Sequence, residues 1–577
     1  MLAESGSEGG GEELPVPSSL QALIASRLDQ LPQDEKRVAQ HASVVGTVFW
    51  SGALASLNGA GGDLSASLDD LERRDFVRAR AGSAVAGERE YAFKHILIRD
   101  VAYNQLPKGR RSHLHRRFAD WTDALPGGGD EYVEIIAYHL EQACLLAGAV
   151  AHASEPPPVD EAVGALTRAA EKAERREGHR EADRFYTRAL ALVDESRPEA
   201  VTDLRLRKGR MLLAQGELKE AREQLHDVAD AARALGRRDL LSTALVAQAN
   251  ICWKQGEAAE ARDRLLEAER LAIEIGDVGL EIRAAYESAF VRGWFEGPSD
   301  EVLEDLQRAV ALAEAENDRP LQIEGHLRLG NLYLNMGTLP EAEVHLRRSA
   351  ELASEMGSHR DEARATSILG FVRYYRGHVD EAEQLTLQAL DWLERTSDVY
   401  LQIQNLRYLA KYELARADAL AAEQRLREAL PQALEVGGWV VTEIYRYLVE
   451  SLVKQERLDD AKELLAFAAR SVPEEDPYAR AALLVAEAIV ATAAEEQATA
   501  ATSFAEALRL LEEQQLFVDL GEARVVLAKA LRSFGDEAGA RTELERARAL
   551  FARMDARFLL DEIDRELAEL TEGSPAA

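Results

Sequence analysis

A glycine followed five residues later by an alanine recurs along this chain at a spacing of about 40 residues: Gly216/Ala221, Gly256/Ala261, Gly337/Ala342, Gly377/Ala382 and Gly535/Ala540. Between them the same places are held by Ala417/Ala422, Glu456/Ala461 and Glu495/Ala500. A period of this length belongs to helical pairs, and a pair repeated in tandem makes a solenoid. Each unit cannot bury its apolar face alone, so neighbours stack, and the product is a surface that binds rather than catalyses.

The clearest unit runs from Leu329 to Ala342. Gly330 lets two helices approach closely, and Tyr333 one turn later fills the gap between repeats. Gly337 makes the turn, and Ala342 is small enough to seat the second helix on the first. The same logic holds at Gly370, Tyr374, Gly377 and Ala382, and a second alanine seven residues after the first keeps that face narrow at Ala268, Ala389, Ala429, Ala468, Ala507 and Ala547. Near Gly297 the pattern weakens, because Leu303 stands where the alanine is expected and Pro298 follows the turn.

The chain has 577 residues and a net charge of −33. Residues 1–150 carry 15 Lys/Arg against 21 Asp/Glu, a balance of −6, which leaves −27 for the rest. A long acidic array repels phosphate backbones, which argues against general nucleic-acid binding along it. Two cysteines far apart, Cys144 and Cys252, form no disulfide framework or zinc spacing and suit a reducing cytoplasm. No apolar run reaches the roughly 18 residues of a membrane span. Residues 1–13 are acidic and Gly-rich, unlike a signal peptide.

Before the repeats the pattern differs. Ser18-Ser19-Leu20-Gln21 is a capping-box signature opening a helix that Pro32 ends. A second helix is expected from Asp34 to Val45 and a third from Leu64 to Arg74. Then the period changes: Phe76–Arg80 and Arg89–Phe93 read as strands joined by a small-residue turn, a hairpin after three helices and the outline of a winged helix. Further helices are expected over His95–Leu106, Arg110–Leu125 and Tyr132–Leu146. Gly148 to Asp160, with Pro156, Pro157 and Pro158, reads as a linker.

The repeat residues resemble the tetratricopeptide repeat, whose pattern is Leu-Gly-x-x-Tyr, then Gly, then two alanines. The family's closing proline is missing and the unit is longer than 34 residues. The segments Val16–Pro32 and Glu88–Tyr103 look like the winged-helix module that follows the ATPase domain in STAND-type signalling proteins. The closest likeness is to large bacterial class III adenylate cyclases that carry an AAA-like ATPase and tetratricopeptide repeats. The resemblance implies an all-α fold, a tetratricopeptide-like α-solenoid with a small N-terminal winged helix. It divides the chain into a lead or ATPase remnant (1–14), winged helix (15–126), helical connector and linker (127–160), repeats (161–570) and tail (571–577).

No P-loop signature occurs, and no cyclase domain precedes Met1. The chain therefore reads as the C-terminal half of such a protein, whether a truncated or split gene or a late start. No cofactor is expected in it; ATP or ADP belongs to intact relatives. In those relatives the histidine placed like His95 senses the nucleotide's phosphates. The plain alternative is a helix-start histidine satisfied by backbone groups.

Other candidates are weighed on their own residues. Lys108, Arg110, Arg111, His113, His115, Arg116 and Arg117 form a basic cluster that could neutralise phosphates, but it follows the expected wing rather than lying on the third helix. Pairing with acidic repeats is the better use. His113 and His115 point about 200° apart around a helix, poor geometry for one metal. Trp253, Trp294, Tyr333, Tyr374, Tyr375, Trp392, Tyr408 and Tyr412 are expected mostly to pack between repeats, with a minority lining a groove.

The expected function is a non-catalytic scaffold, the regulatory half of a signalling ATPase or cyclase, with a protein or small effector on an elongated concave face. The alternatives are a winged-helix DNA-binding regulator and a subunit that assembles with a separately encoded ATPase or cyclase.

Overall fold

The computed structural model describes residues 18–572 apart from 60–63, 151–155, 177, 256, 395–398, 437 and 471–475. The chain divides into two compact units, 1–211 and 212–577.

In the first unit, α1 (Ser18–Asp29) and α2 (Gln33–Val45) lead into β1 (Val48–Trp50), α3 (Ser51–Asn58) and α4 (Leu64–Arg73). Strands β2 (Val77–Ala79) and β3 (Glu90–Phe93) complete a three-stranded antiparallel sheet of order β1-β3-β2, with Val48 opposite Ala92 and Val77 opposite Phe93. The sequence-predicted hairpin is present; β1 and α3 were not expected. Indole Nε1 of Trp50 donates to Glu90 across that added pairing at 3.2 Å. Phe49, Leu54, Leu57, Leu71, Val77 and Leu114 close the core of this region. Helices α5 (Ile96–Asn104), α6 (Lys108–Asp123), the single turn α7 (Gly128–Glu131) and α8 (Val133–Gly148) follow. Helices α9 (Val159–Arg175) and α10 (His179–Leu192) form the first hairpin of the repetitive part, and α11 (Pro198–Ala214) runs across the unit boundary.

The described residues of the second unit form a series of helical pairs of 16 to 18 residues per helix, except for one shorter member. Its elements are α12 (Leu218–Leu235), α13 (Arg238–Lys254), α14 (Ala258–Ile275), α15 (Val278–Phe295), α16 (Asp300–Ala315) and α17 (Arg319–Asn335). Then come α18 (Leu339–Met356), α19 (His359–Tyr375), α20 (Val379–Glu394), α21 (Val399–Ala415), α22 (Ala419–Val436) and α23 (Gly438–Lys454). The shorter α24 (Leu458–Ala468), α25 (Pro477–Ala493), α26 (Gln497–Glu513), α27 (Phe517–Ser533), α28 (Glu537–Met554) and α29 (Arg557–Glu572) end it. No described helix is long and apolar enough to cross a membrane. This is a tetratricopeptide-like all-α repeat fold.

The turn inside each pair explains the period. At Gly337 the backbone enters the left-handed region (φ 77°), and the Thr338 amide bonds back to the Tyr333 carbonyl at 2.8 Å. That closes the first helix with a Schellman-type bond. Ala417, Glu456 and Glu495 adopt the same conformation without glycine (φ 62°, 61° and 59°). The alanine five residues on is sealed between helices: Ala221, Ala261, Ala342 and Ala382 are fully buried and Ala540 nearly so.

The second unit is not an open array. Tyr374 on α19 packs against Phe558 on α29, with ring centres 4.8 Å apart. Arg376 reaches Asp555 at 3.2 Å, and a side chain at Gly337 would meet Met554. Residues of α17 to α23 and of α27 to α29 share one apolar cluster. The last pairs therefore close over the middle ones, and the described residues of this unit present no elongated open face of the kind expected from the repeat alone.

Candidate functional site

That closure leaves a cavity of ≈ 380 Å³ bounded by α13, α15, α17, α19, α21, α23, α25 and α27, the first helix of each successive pair, with Leu306 of α16 added. Its size falls within the range of pockets that hold small organic ligands. Much of the wall is aromatic. Trp253 meets Trp294 edge-on at 5.9 Å, Trp294 meets Tyr478 at 5.8 Å, and Phe371 stacks on Tyr408 at 4.2 Å. The Trp294–Tyr478 contact joins α15 to α25, so the aromatic wall spans the closure itself.

The charged groups lining the cavity are mostly paired. Arg328 donates to Glu287 at 2.5 Å and to Glu324 at 2.7 Å, and Arg364 to the other oxygen of Glu324 at 3.0 Å. Burial alone would raise the Glu324 carboxyl, but Arg364 and Arg328 outweigh it and hold it at about 2. Arg407 donates to Glu443 at 2.6 Å. Lys411 donates to Glu522 and to the Tyr375 hydroxyl, each at 2.6 Å, and that hydroxyl also contacts Glu522 at 2.8 Å. Burial works against the Lys411 ammonium, yet Glu522 more than offsets it and the amine is held above its ordinary value. Asp519 faces the same space with burial pushing it up to about 6, reinforced by Glu443 and Glu522.

The residues singled out in the sequence fall in different places. Gly330 is a close approach: a Cβ there would meet Leu346 at 2.5 Å, and one at Gly370 would meet Thr386 at 2.8 Å. Tyr333 stacks on His345 and accepts from Gln307 at 2.9 Å. Gly216, Gly377 and Gly535 sit in left-handed turns, and Gly256 lies outside the described residues. Of the eight aromatics, Trp253, Trp294, Tyr375 and Tyr408 line the cavity, half of them where a minority was expected. Tyr374 and Tyr412 stack on each other in the core at 4.9 Å, and Trp392 stacks on His359.

His95 caps α5, its Nδ1 accepting from the Leu97 amide at 3.2 Å. The basic cluster is spent largely within the first unit. Arg116 pairs with Glu161 at 2.6 Å, Arg117 donates to the Ser56 carbonyl, and Arg111 lies over the Tyr103 ring. Sequence reasoning missed the partner of His115: its Nδ1 lies 2.9 Å from Nδ1 of His139 on α8, and its Nε2 lies 2.8 Å from the Tyr103 hydroxyl. It also missed Lys411, Asp519 and Glu522. The available signal was α21, whose residues Ile403 to Tyr412 are buried on every face although Arg407 and Lys411 are among them. Among the described residues, Cys252, Glu257 and Glu260 come within ligand distance of one another. Arg222 already pairs with Glu257, and burial pushes the Cys252 thiol up to about 11, so the set is poorly suited to a metal.

No family model matches the sequence and no curated protein is similar to it. Solved structures show partial likeness. One is a signal transduction ATPase with numerous domains (STAND) with a tetratricopeptide repeat sensor, from Pyrococcus horikoshii. It is 14% identical with a TM-score of 0.49, and the match covers 78% of this chain and 65% of that one. A Rap protein complexed with competence and sporulation factor is 15% identical with a TM-score of 0.44, covering 64% and 99%. NprR in complex with its cognate peptide NprX is 15% identical with a TM-score of 0.42, covering 61% and 99%. The chain thus spans 65% of the length of the archaeal STAND protein.

Proposed function

We propose that the protein is a non-catalytic sensor whose effector occupies the cavity of the second unit. One observation carries this reading: the cavity walls come from nine helices, from Asn250 on α13 to Asp519 on α27. A ligand held there touches the early, middle and late pairs together. Its binding energy therefore acts on the equilibrium between closed and opened forms of the unit. The test is calorimetric titration with a panel of small amines, carboxylic acids and short peptides, repeated on Asn331→Trp, which fills the cavity from α17. A bound member whose heat disappears in the variant, with helicity retained, supports the reading. Binding unchanged by Asn331→Trp, or none at all, overturns it.

The first unit supports a winged-helix reading through its sheet order and the placement of two helices between β1 and β2. In a STAND-type arrangement such a module relays the state of the repeats to an ATPase, in the same chain or a separately encoded one, with a cyclase as one output. His95 would then face nucleotide in a cytoplasmic switch; part of the linker expected over Gly148 to Asp160 (151–155) lies outside the described residues. DNA binding is the weaker reading, because Arg111, Arg116 and Arg117 are engaged inside the unit. Reconstitution with the neighbouring reading frame's product separates them: stimulated ATP hydrolysis supports the relay, and sequence-selective DNA retention in moderate salt supports the regulator.

A further inference from the structure

Among the described residues, one carboxylate of the cavity has no hydrogen-bond donor. Glu287 and Glu324 are bonded by Arg328 and Arg364, and the nearby Glu443 and Glu522 by Arg407 and Lys411. Asp519 on α27 accepts no side-chain hydrogen bond among the described residues. Its nearest cation is Arg446, at 3.9 Å. That guanidinium also lies 3.6 Å from Glu443 and 3.7 Å from Glu522, so its charge is divided among three carboxylates. The Asp519 side chain keeps 25% of its surface open while the unit encloses it. A partly enclosed carboxylate that receives no donor from its surroundings gains free energy when a donor arrives.

The surroundings suit a cation. Tyr478 is close enough that, after burial, the Asp519 charge is the leading influence pushing its hydroxyl up, and Asp519 acts on Tyr375 as well. Arg446 already lies over the Tyr447 ring at 5.0 Å and Lys411 over Tyr375 at 4.9 Å. Ring faces in this part of the cavity thus accept positive charge from the protein itself. Arg407 and Lys411 are committed to Glu443 and Glu522, so an anionic ligand at Asp519 would meet that carboxylate with the shared Arg446 between them.

Building on the sensor reading above, we propose that the effector carries an ammonium or guanidinium group, which donates to Asp519 among the Tyr375, Tyr447 and Tyr478 rings. Two sources share this chemistry, a free aromatic amine and a basic residue of a short peptide.

The experiment is calorimetric titration of the full chain with four probes: tyramine, N-acetyltyramine, 4-hydroxyphenylacetate, and an Ala-Arg-Ala peptide capped at both ends. Tyramine or the capped peptide binds, the matched neutral and anionic probes bind more weakly, and which cation binds identifies the source. Asp519→Asn keeps the shape and removes the charge. It should weaken the cationic probe by roughly 10- to 100-fold, the worth of a charged hydrogen bond, and leave the neutral probe unchanged. Its melting temperature at neutral pH stays level or rises, because an uncompensated charge has gone. Equal binding of the anionic probe, a cationic affinity indifferent to Asp519→Asn, or a lowered melting temperature overturns the assignment. Silence from all four probes while another panel member is displaced by Asn331→Trp also overturns it, yet leaves the sensor reading standing. Failure of the whole panel removes the sensor reading itself.

Discussion

The two units bury ionisable side chains in opposite ways. In the first, the centre is imidazole: His115 and His139 face each other through Nδ1 atoms 2.9 Å apart, and His41 lies 3.4 Å from the Arg110 guanidinium. Burial, helped by neighbouring arginines, pulls His41 down to about 4 and His115 to about 3, and holds His139 well below its usual value. These groups are buried by being neutral. In the second unit, Arg407, Lys411 and Arg446 are buried as cations against Glu443 and Glu522. One unit avoids the cost of burying charge, and the other offsets it by pairing. The lesson is that helical packing of similar outward form can hide very different responses to charge and pH.

Removing a partner is the sharpest way to break that comparison. Lys411→Met leaves Glu522 buried with the Tyr375 hydroxyl and, as its one cation among the described residues, the distant Arg446, and should cost about 3–5 kcal/mol in chemical denaturation. Adding Glu522→Gln should recover much of the loss, because the remaining amide can still meet the Tyr375 hydroxyl. A cost below about 1 kcal/mol would place the pair in solvent-like surroundings and dissolve the contrast.

Acid tests the other side. The three buried imidazoles of the first unit are neutral when folded and titrate near 6.5 when unfolded. Their contribution is complete above pH 6.5 and is lost as the pH falls towards the folded values. At pH 5 each fully buried imidazole costs about 2 kcal/mol. Asp519 has the opposite sign: held near 6 when folded, it favours the folded state as the pH falls from 6 towards 3.8. Glu324, held at about 2, begins to cost only below its unfolded value of 4.5. His326, which is buried, and His345, which is half-buried, push the second unit the same way as the first, but the Glu314 charge opposes the shift of both. Hydrogen exchange between pH 7 and 5 should therefore loosen α6 and α8 well before α21 and α27. Simultaneous loosening would count against the contrast.

What could be read from the sequence follows the same division. The pair turns were legible, glycine or not, because a left-handed residue and a buried alanine five positions later leave a chemical trace. Ala417, Glu456 and Glu495 were aligned correctly without glycine. Strand β1 was not legible, since three residues, Val48 to Trp50, carry no measurable alternation. The closure was hidden for a different reason. Lys411 and Glu522 are 111 residues apart, and each reads as an ordinary charge on a helix. His115 and His139 are 24 apart on separate helices, beyond any local spacing rule. Local conformation writes itself into neighbouring residues, whereas partners brought together by stacking do not.

Packing inside one pair gives the next effect in size. Ala342 is fully buried against the first helix of its pair, where a Cβ on Gly330 would already collide with Leu346. Ala342→Leu should cost about 1–3 kcal/mol through overpacking, read as a lowered denaturation midpoint of the second unit with the first unchanged. An unaltered midpoint would mean that the helices can separate there.

The smallest effect concerns the backbone and separates the units again. Glu456 is exposed, holds φ 61° and makes no ion pair among the described residues, so its left-handed strain has no side-chain return. Glu456→Gly relieves that strain at some cost in unfolded-chain entropy and should stabilise by about 0.5–1 kcal/mol. The first unit has one comparable position among its described residues, Asp75 at φ 64°, but its carboxylate pairs with Lys94. Asp75→Gly gains the same relief and loses that pair, so no net stabilisation is expected. If both substitutions stabilised equally, the Asp75–Lys94 pair would be idle. If neither did, the turn between α23 and α24 would be held by its Schellman-type bond, Arg457 amide to Leu452 carbonyl at 3.0 Å, at no cost to the residue that bends.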